Sequence, residues 1–349
     1  MSDKQTAKAA SYTKYAPRED RVRLAALSAL FCMLPAAAIW SVGLGATAIS
    51  FKEILDAIFA FDGSRDHLVI TTIRIPRALA GILAGGGLAI SGAIMQAITN
   101  NPLASPSLLG VNAGAAFAVV LTLSFFGAGA SHVYIWSAFG GAAIAAVLVY
   151  VFGSIGPRHG TQIKLVLTGA VLTAFLTSLT TALLIFDQSA LDSVRLWTAG
   201  SLSGRTMTDV QLIAPYMLVG IAMALAFPRH LAAMSLGADV AKTLGQNPVV
   251  WRAIAITVVI LLAGGAVALA GPVGFVGLVV PHIIRFTVGP DFRWTIPFNA
   301  ISGALLVITA DSIGRVLFAS QDFPVGVTMA LIGAPFFIWL ARACAEGSS

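Results

Sequence analysis

The sequence predicts an all-α protein that crosses a membrane with ten transmembrane helices, and three observations support that class. The 349 residues are 58% hydrophobic and 10% charged, whereas a soluble domain carries about 25% charged residues. The mean hydropathy is +0.89. The apolar residues are collected in ten runs, most of them long enough to cross a hydrocarbon core of about 30 Å as a helix. The two cysteines, Cys32 and Cys344, provide neither a disulfide framework nor a metal-binding spacing.

The chain begins with a polar, basic segment, residues 1–23, and the first apolar run follows at 24–46. A basic start before an apolar run is typical of a signal peptide, but this run is long for one and no convincing cleavage site ends it. We therefore interpret 24–46 as the first transmembrane helix and 1–23 as a cytoplasmic tail.

The segment after the first run, residues 47–73, mixes apolar and charged residues. Its apolar residues Phe51, Ile54, Leu55 and Ile58 recur at helical spacing. This pattern predicts a short amphipathic helix on the outer surface of the membrane.

Nine further apolar runs follow, and each is predicted to be a transmembrane helix. They lie at 76–98, 107–127, 133–153, 163–186, 209–228, 250–271, 273–288, 296–316 and 325–343. Ten crossings place both termini on one side, and that side holds fourteen of the 21 Lys and Arg residues. By the positive-inside rule the termini are predicted to be cytoplasmic. The predicted organisation is a tail at 1–23, a ten-helix domain at 24–343 and a cytoplasmic tail at 344–349.

A short internal repeat links the second and seventh predicted spans. Residues 84–92 (AGGGLAISG) align with 263–271 (AGGAVALAG) at a constant offset of 179. Because the two spans cross in opposite directions, the repeat would be inverted and would relate spans 2–5 to spans 7–10, an arrangement common in transporters. Chance similarity in Gly/Ala-rich sequence is the alternative. Close helix packing is predicted at Gly85, Gly86, Gly92, Gly264, Gly265 and Gly271.

The sequence lacks the usual signatures of catalysis. The five histidines are scattered, no nucleophile–base arrangement is visible, and the string Ala241-Lys242-Thr243 lacks the glycines of a P-loop. Charged residues within the runs are scarce, although Asp311 and Arg315 are spaced to pair at i,i+4. The inverted repeat would suit an ion-coupled secondary transporter, but such transporters usually carry buried ionisable groups, which are scarce here. The energy for transport is therefore expected from another source. An intramembrane enzyme is disfavoured because no catalytic arrangement is visible.

One loop between the sixth and seventh spans is suited to receive that energy. Ala238, Val240, Ala241 and Leu244 predict a short helix with a mostly apolar face, closed by Gly245 at the C′ position. A helix this short is marginal in water, so it requires packing on the membrane domain or on a partner. An ordinary surface helix is the alternative interpretation.

Several ordered motifs across about residues 20–343 resemble the FecCD family, the permease subunits of bacterial type II ABC importers for ferric siderophores, haem and cobalamin. The motifs are RIPR, GAIMQAITNNPLASPSLLGV, SLGADVAKTLG, GPVGFVGLVVPHIIR, DSIGRVLF and FPVGVTMALIGAPFFIWL. The resemblance implies a multi-pass subunit of the bacterial cytoplasmic (inner) membrane that imports an iron chelate, with a ferric siderophore favoured over haem or cobalamin. The net charge of +6 follows the membrane orientation and does not indicate nucleic acid.

The resemblance also implies partners: a second permease subunit (identical or paralogous), two ATP-binding subunits and a substrate-binding protein. ATP and Mg would be held by the ATP-binding subunits, so this chain is expected to be no enzyme and to have no catalytic residue, cofactor or metal of its own. The translocation pathway would lie between the two permease subunits.

The resemblance further implies functional roles for three groups of residues. A coupling helix at about 237–246, with Asp239 and Lys242 at its rim, would seat in the ATPase through Ala238, Ala241 and Leu244. Its residues are Leu236, Gly237, Ala238, Asp239, Ala241, Lys242, Leu244 and Gly245. Arginines at the outer ends of helices would face acidic residues of the binding protein, or else pair within the subunit; they are Arg74, Arg77 and Arg315. The pathway and its cytoplasmic gate would involve Gln96, Asn100, Asn101, Pro102, Thr168, Thr173 and Thr177.

Overall fold

The computed structural model describes residues 16–45, 49–127, 131–155, 161–318 and 323–346, and within these ranges every regular element is a helix. Ten helices coincide with the ten predicted apolar runs, with ends that differ by a few residues in most cases. They are α1 (Ala16–Gly43), α4 (Ile75–Thr99), α5 (Val111–Phe126), α6 (Ser131–Ser154), α7 (Thr161–Phe186), α9 (Met207–Ala226), α12 (Pro248–Val259, continued to Ala270), α14 (Val276–Val288), α15 (Phe292–Leu317) and α16 (Val325–Glu346).

Shorter helices connect these elements. They are α2 (Phe51–Phe59), α3 (Arg65–Val69), α8 (Gln188–Thr198), α10 (Pro228–Ser235), α11 (Ala238–Thr243) and α13 (Gly265–Ala270). Two one-turn π segments, Ile70–Arg74 and Ile260–Gly264, join α3 to α4 and α12 to α13.

Seven of the helical segments are long and apolar enough to cross a membrane, and three apolar helices are shorter. The shorter ones lie at Val111–Phe126, Val276–Val288 and Val325–Ile338. The chain is therefore a multi-pass membrane protein.

The first helix begins earlier than the sequence predicted. The sequence predicts a polar tail through residue 23, yet α1 starts at Ala16, because arginine and glutamate are good helix formers even where they are exposed. The rest of that tail, residues 1–15, lies outside the described residues. At the other end α16 runs on to Glu346, and 347–349 lie outside the described residues.

The short amphipathic helix predicted between the first two spans is confirmed as α2. A capping box closes its start: the Glu53 backbone N–H donates to Ser50 Oγ at 3.2 Å, and the Ser50 N–H donates to Glu53 Oε2 at 2.8 Å. Ile54 and Ala57 are buried while Phe51, Leu55 and Ile58 are exposed, so a second apolar face of α2 remains uncovered in the single chain.

Helix α4 lies at the centre of the molecule. Together with α3 and the π segment it forms a helical stretch from Arg65 to Thr99, and 83% of its most apolar window is buried. α15, α14, α13, α9, α10 and α12 all pack against it. Its small residues, which include Gly85–Gly87 and Ala89, allow these neighbours to approach closely.

Two glycine pairs mark close contacts between α4 and its neighbours. A Cβ at Gly92 of α4 would overlap the backbone carbonyl of Gly277 in α14, and a Cβ at Gly85 would overlap that of Gly303 in α15. At Gly86 and Gly265 an added Cβ would also be crowded, by Ala300 O at 2.9 Å and by Met217 Cγ at 2.6 Å.

The two aligned segments of the predicted repeat differ in backbone conformation at their last residues. Gly92 lies inside α4, whereas Gly271 has φ +69° and follows the last residue of α13. Gly271 therefore ends a helix, and it is still closely packed, because an added Cβ there would overlap the Trp197 carbonyl oxygen of α8. An added Cβ at Gly264 would approach Phe139 no closer than 3.4 Å, an ordinary contact. The inverted repeat itself stays a prediction.

Candidate functional site

A cluster of buried charges lies at the beginning of α4. Arg77 Nη2 donates to Asp311 Oδ1 at 2.8 Å and its Nε donates to Asp311 Oδ2 at 3.0 Å. Arg77 Nη1 donates to Ser203 Oγ at 2.9 Å. A single guanidinium therefore ties α4 to α15 and to the loop after α8.

Arg315 shares the same carboxylate. Its Nε lies 3.1 Å from Asp311 Oδ2, which confirms the i,i+4 pairing that the sequence predicted. Its two terminal nitrogens donate to Leu44 O and Ser41 Oγ, each at 2.7 Å. These acceptors lie in the last turn of α1 and just beyond it, where carbonyl groups have no partner within the helix.

Arg74 completes the cluster from the π segment. Its Nη1 donates to Val42 O at 2.8 Å and to Gly43 O at 3.1 Å. Cations are favoured at a helix C-terminus because the helix dipole is negative there. The local fold thus explains why Arg74 and Arg315 both meet the end of α1.

We call Arg74, Arg77, Arg315 and Asp311 the arginine cluster. Arg74 and Arg77 are 7% and 8% exposed, so most of each side chain contacts its own chain. Arg77 and Arg315 pair with the Asp311 carboxylate, whereas Arg74 donates to carbonyl groups at the end of α1. These four side chains together carry more positive than negative charge. The sequence left open whether these arginines pair within the subunit, and Arg77 and Arg315 do so. Contact of the arginine cluster with a binding protein stays a prediction.

The opposite end of α4, about 38 Å away by helix length, holds the predicted polar knot. Asn100 has φ +47° and ends the helix in the left-handed conformation, which asparagine tolerates better than most residues. Asn101 Oδ1 accepts a hydrogen bond from the Leu103 N–H at 2.9 Å. Gln96 is buried, and its Oε1 accepts a hydrogen bond from Arg285 Nη2 of α14.

These residues line a cavity of about 580 Å³, which we call the Arg285 cavity. The lining comprises Gln96, Ala97, Asn100, Asn101, Pro102, Ser235, Leu236, Arg285, Pro290 and Phe292. The structure therefore brings the predicted gate residues together with the first residue of the predicted coupling segment. Arg285 was not predicted to be functional, and its only signal in the sequence was a lone charge in the shortest apolar run.

The short helix predicted in the coupling segment is present as α11, and Gly245 follows it with φ +76°, as the C′ assignment requires; the coupling role stays a prediction. Asp239 Oδ1 and Lys242 Nζ are 3.9 Å apart on its exposed side. The predicted role of Ala241 needs correction, because its side chain is fully buried within its own chain and is not available to a partner.

The exposed apolar row of this segment has a different composition from the predicted one. Leu236, Val240 and Leu244 recur every four residues and are 64%, 42% and 61% exposed. Ala238 is only partly exposed. An apolar row of this kind beside exposed charges is suited to contact another protein.

The predicted pathway threonines lie on α7, away from the Arg285 cavity. Thr168 and Thr173 are half-buried and Thr177 is exposed. The Thr181 hydroxyl donates to Thr177 O at 2.9 Å, so at least some hydroxyls of this helix bond their own backbone. Only 11% of the most apolar window of α7 is buried, which leaves most of its surface free to meet lipid or another subunit.

Among the described residues, no group of three or more His, Cys, Asp or Glu side chains is arranged to hold a metal ion.

Comparison with known proteins identifies one family. Residues 33–343 match the FecCD transport family. The chain is 42% identical over 302 residues to the Fe(3+)-citrate import system permease protein YfmD of Bacillus subtilis, covering 86% of this chain and 90% of that one. It is 37% identical over 327 residues to the ferric enterobactin transport system permease protein FepD of Escherichia coli, covering 94% and 98%.

A solved structure has the same fold. It is described provisionally as a metal-chelate type ABC transporter in an inward-facing conformation. The TM-score is 0.79 at 28% identity, over 91% of this chain and 98% of the other.

Proposed function

Because the chain belongs to the FecCD transport family, we propose that it is the permease subunit of an ABC importer for an iron chelate of the ferric siderophore class. The observation that carries this proposal is the family match over residues 33–343, combined with relatives named as permeases for ferric citrate and ferric enterobactin. Haem and cobalamin are the alternatives within the family.

We propose that the three shorter apolar helices also cross the bacterial inner membrane, which makes ten spans with both termini in the cytoplasm. The excess of Lys and Arg on the side of the termini supports this orientation. It places the arginine cluster on the outer face and the Arg285 cavity with α11 on the inner face, because these lie at opposite ends of α4.

The energy for transport would come from two ATP-binding subunits on the inner face. The exposed row Leu236, Val240 and Leu244 supports α11 as the helix that seats in the ATPase. The chain offers no nucleotide-binding loop of its own, which supports ATP and Mg being held by these partners. Conformational change in the ATPase would reach the permease through α11 and the adjoining α10.

A substrate-binding protein would deliver the chelate to the outer face. The excess positive charge of the arginine cluster supports attraction of acidic residues on that protein, and such attraction should weaken as salt increases. A second permease subunit would cover the exposed surface of α7, where the predicted pathway threonines lie. The chelate would then pass between the two subunits by alternating access.

The proposal is tested by isolating the tagged chain in mild detergent from its native cells and identifying co-purified proteins by mass spectrometry. We expect a P-loop ATPase in about equal amount, and either a second permease or none, which distinguishes a heterodimer from a homodimer. Vesicles containing the complex should accumulate a ferric siderophore only with ATP and the binding protein. Uptake by the chain alone without ATP would refute the proposal and favour a secondary carrier.

A further inference from the structure

Arg285 has few ion-pair or hydrogen-bond partners among the described residues of its own chain. Across the part of the chain that the structure describes, no carboxylate lies within ion-pair distance of it, and its one hydrogen-bond acceptor is Gln96 Oε1. A guanidinium has five N–H donors in a planar fork. Most of these donors are therefore available to another acceptor.

The Arg285 cavity is lined by both polar and apolar side chains, and none of the lining residues is acidic. Its polar lining consists of the amides of Gln96, Asn100 and Asn101, the Ser235 hydroxyl and the Arg285 guanidinium. A half-buried cation attracts an anionic group more strongly than an exposed one, because the surrounding dielectric is lower. The volume of about 580 Å³ accommodates a complete side chain entering from outside.

The cavity adjoins the surface proposed to contact the ATPase. Leu236 both lines the cavity and begins the exposed row that continues to Val240 and Leu244. A protein that covers this apolar row would therefore also cover the opening next to Ser235 and Leu236.

We propose that the Arg285 cavity receives an acidic side chain of the ATP-binding subunit, as a second contact beside α11. This inference rests on the proposed function. The incoming carboxylate accepts two N–H groups of the Arg285 fork, a geometry that lysine does not offer. Since Arg285 also holds Gln96, the contact joins the ATPase directly to α14 and to the buried helix α4.

The test measures the affinity of the detergent-purified chain for its purified ATP-binding subunit over a range of salt concentrations. Arg285→Gln is expected to weaken binding about tenfold or more and to flatten its salt dependence. Arg293→Gln is the matched control, because Arg293 is exposed on the same end of the molecule and does not line the cavity. Asn101→Asp is a second variant that keeps the oxygen bonded to the Leu103 N–H but adds a competing negative charge, and it should also weaken binding.

Each outcome is decisive. Unchanged affinity and salt dependence for both Arg285→Gln and Asn101→Asp would overturn the proposal, as would an equal loss for Arg293→Gln, which would indicate general surface charge. If Arg285→Gln binds the ATPase normally but loses inorganic phosphate binding, the cavity takes a free anion and the proposal is wrong. If the unmodified chain fails to bind the ATPase, the proposed function is at fault. Thermal unfolding of each variant verifies that it is folded.

Discussion

Arg77 and Asp311 lie 234 positions apart in the chain, yet Arg77 Nη2 is 2.8 Å from Asp311 Oδ1 in a buried contact. The same carboxylate also pairs with Arg315. Asp311 is therefore the acceptor on which the arrangement of two buried guanidinium groups depends. Removing one partner of a buried ion pair is costly because it leaves the other charge uncompensated.

We therefore predict that Asp311→Asn lowers the free energy of unfolding by about 3–5 kcal/mol, measured by denaturation in detergent. Asp239→Asn is the matched control, because the Asp239 side chain is fully exposed and its lysine partner is 3.9 Å away. That change should alter stability by less than about 0.5 kcal/mol. Similar losses in the two variants would contradict a structural role for the cluster.

A second prediction concerns the contact between Gly92 and Gly277. Gly92→Ala should destabilise the protein by about 1–3 kcal/mol, because the added methyl overlaps the Gly277 carbonyl and the helices must separate. Gly140→Ala in α6 is the control, since no atom lies within 4 Å of an added Cβ there and alanine favours the helix. The midpoint of thermal unfolding should fall for the first variant and hold or rise for the second. A neutral Gly92→Ala would argue against this close approach.

A third prediction distinguishes the exposed side of α11 from its buried side. Leu244→Asp changes an exposed side chain of the row, so it should leave the thermal unfolding midpoint nearly unchanged while reducing ATPase recovery about tenfold, as loss of a central interface contact does. Ala241→Arg places a charge at a fully buried position, so it should lower the thermal unfolding midpoint of the chain itself. The measurement pairs co-purification with thermal unfolding. Normal ATPase recovery with Leu244→Asp would show that α11 does not contact the ATPase.

A fourth prediction is a pH dependence at the start of α2. The Ser50 backbone N–H lowers the pKa of Glu53 by bonding its carboxylate. Because the pKa is lower in the folded protein, this contribution is present above the unfolded pKa of about 4.3 and is lost as pH falls through the folded value. Hydrogen-exchange protection in α2, corrected for the intrinsic rate, should therefore decrease on acidification.

Two variants test the origin of that effect. Glu53→Gln keeps a hydrogen-bonding side chain at the capping-box position but cannot titrate, so the pH dependence should disappear while some protection stays. Ser50→Ala removes the other half of the box and should reduce protection at every pH. An unchanged pH response in Glu53→Gln would assign the effect to another group.

Many features of this protein were predicted from the sequence because they depend on nearby residues. Apolar run length predicted all ten apolar helices, since a helix satisfies its backbone hydrogen bonds locally whatever packs around it. Spacing alone predicted α2, the Asp311–Arg315 pair and the turn at Gly245. The motifs also predicted the family correctly.

Other features were decided by contacts between distant parts of the chain. No local pattern indicates that Arg77 meets Asp311, that Ala241 faces inward while Leu244 faces outward, or that the π segment at Ile70–Arg74 turns Arg74 towards α1. The helical ends at Ala16 and Glu346 were missed because charged residues suit an exposed helix as well as a tail.

The amino-acid sequence by itself determined which apolar segments are helices, that they belong in a membrane and which family the chain belongs to. Only the tertiary structure decided which polar groups pair. A buried charge is costly without a partner, and Asp311 supplies one to Arg77 and to Arg315. For Arg285 the described part of the fold supplies only Gln96 Oε1, and that difference separates a structural cluster from a site that can accept a partner.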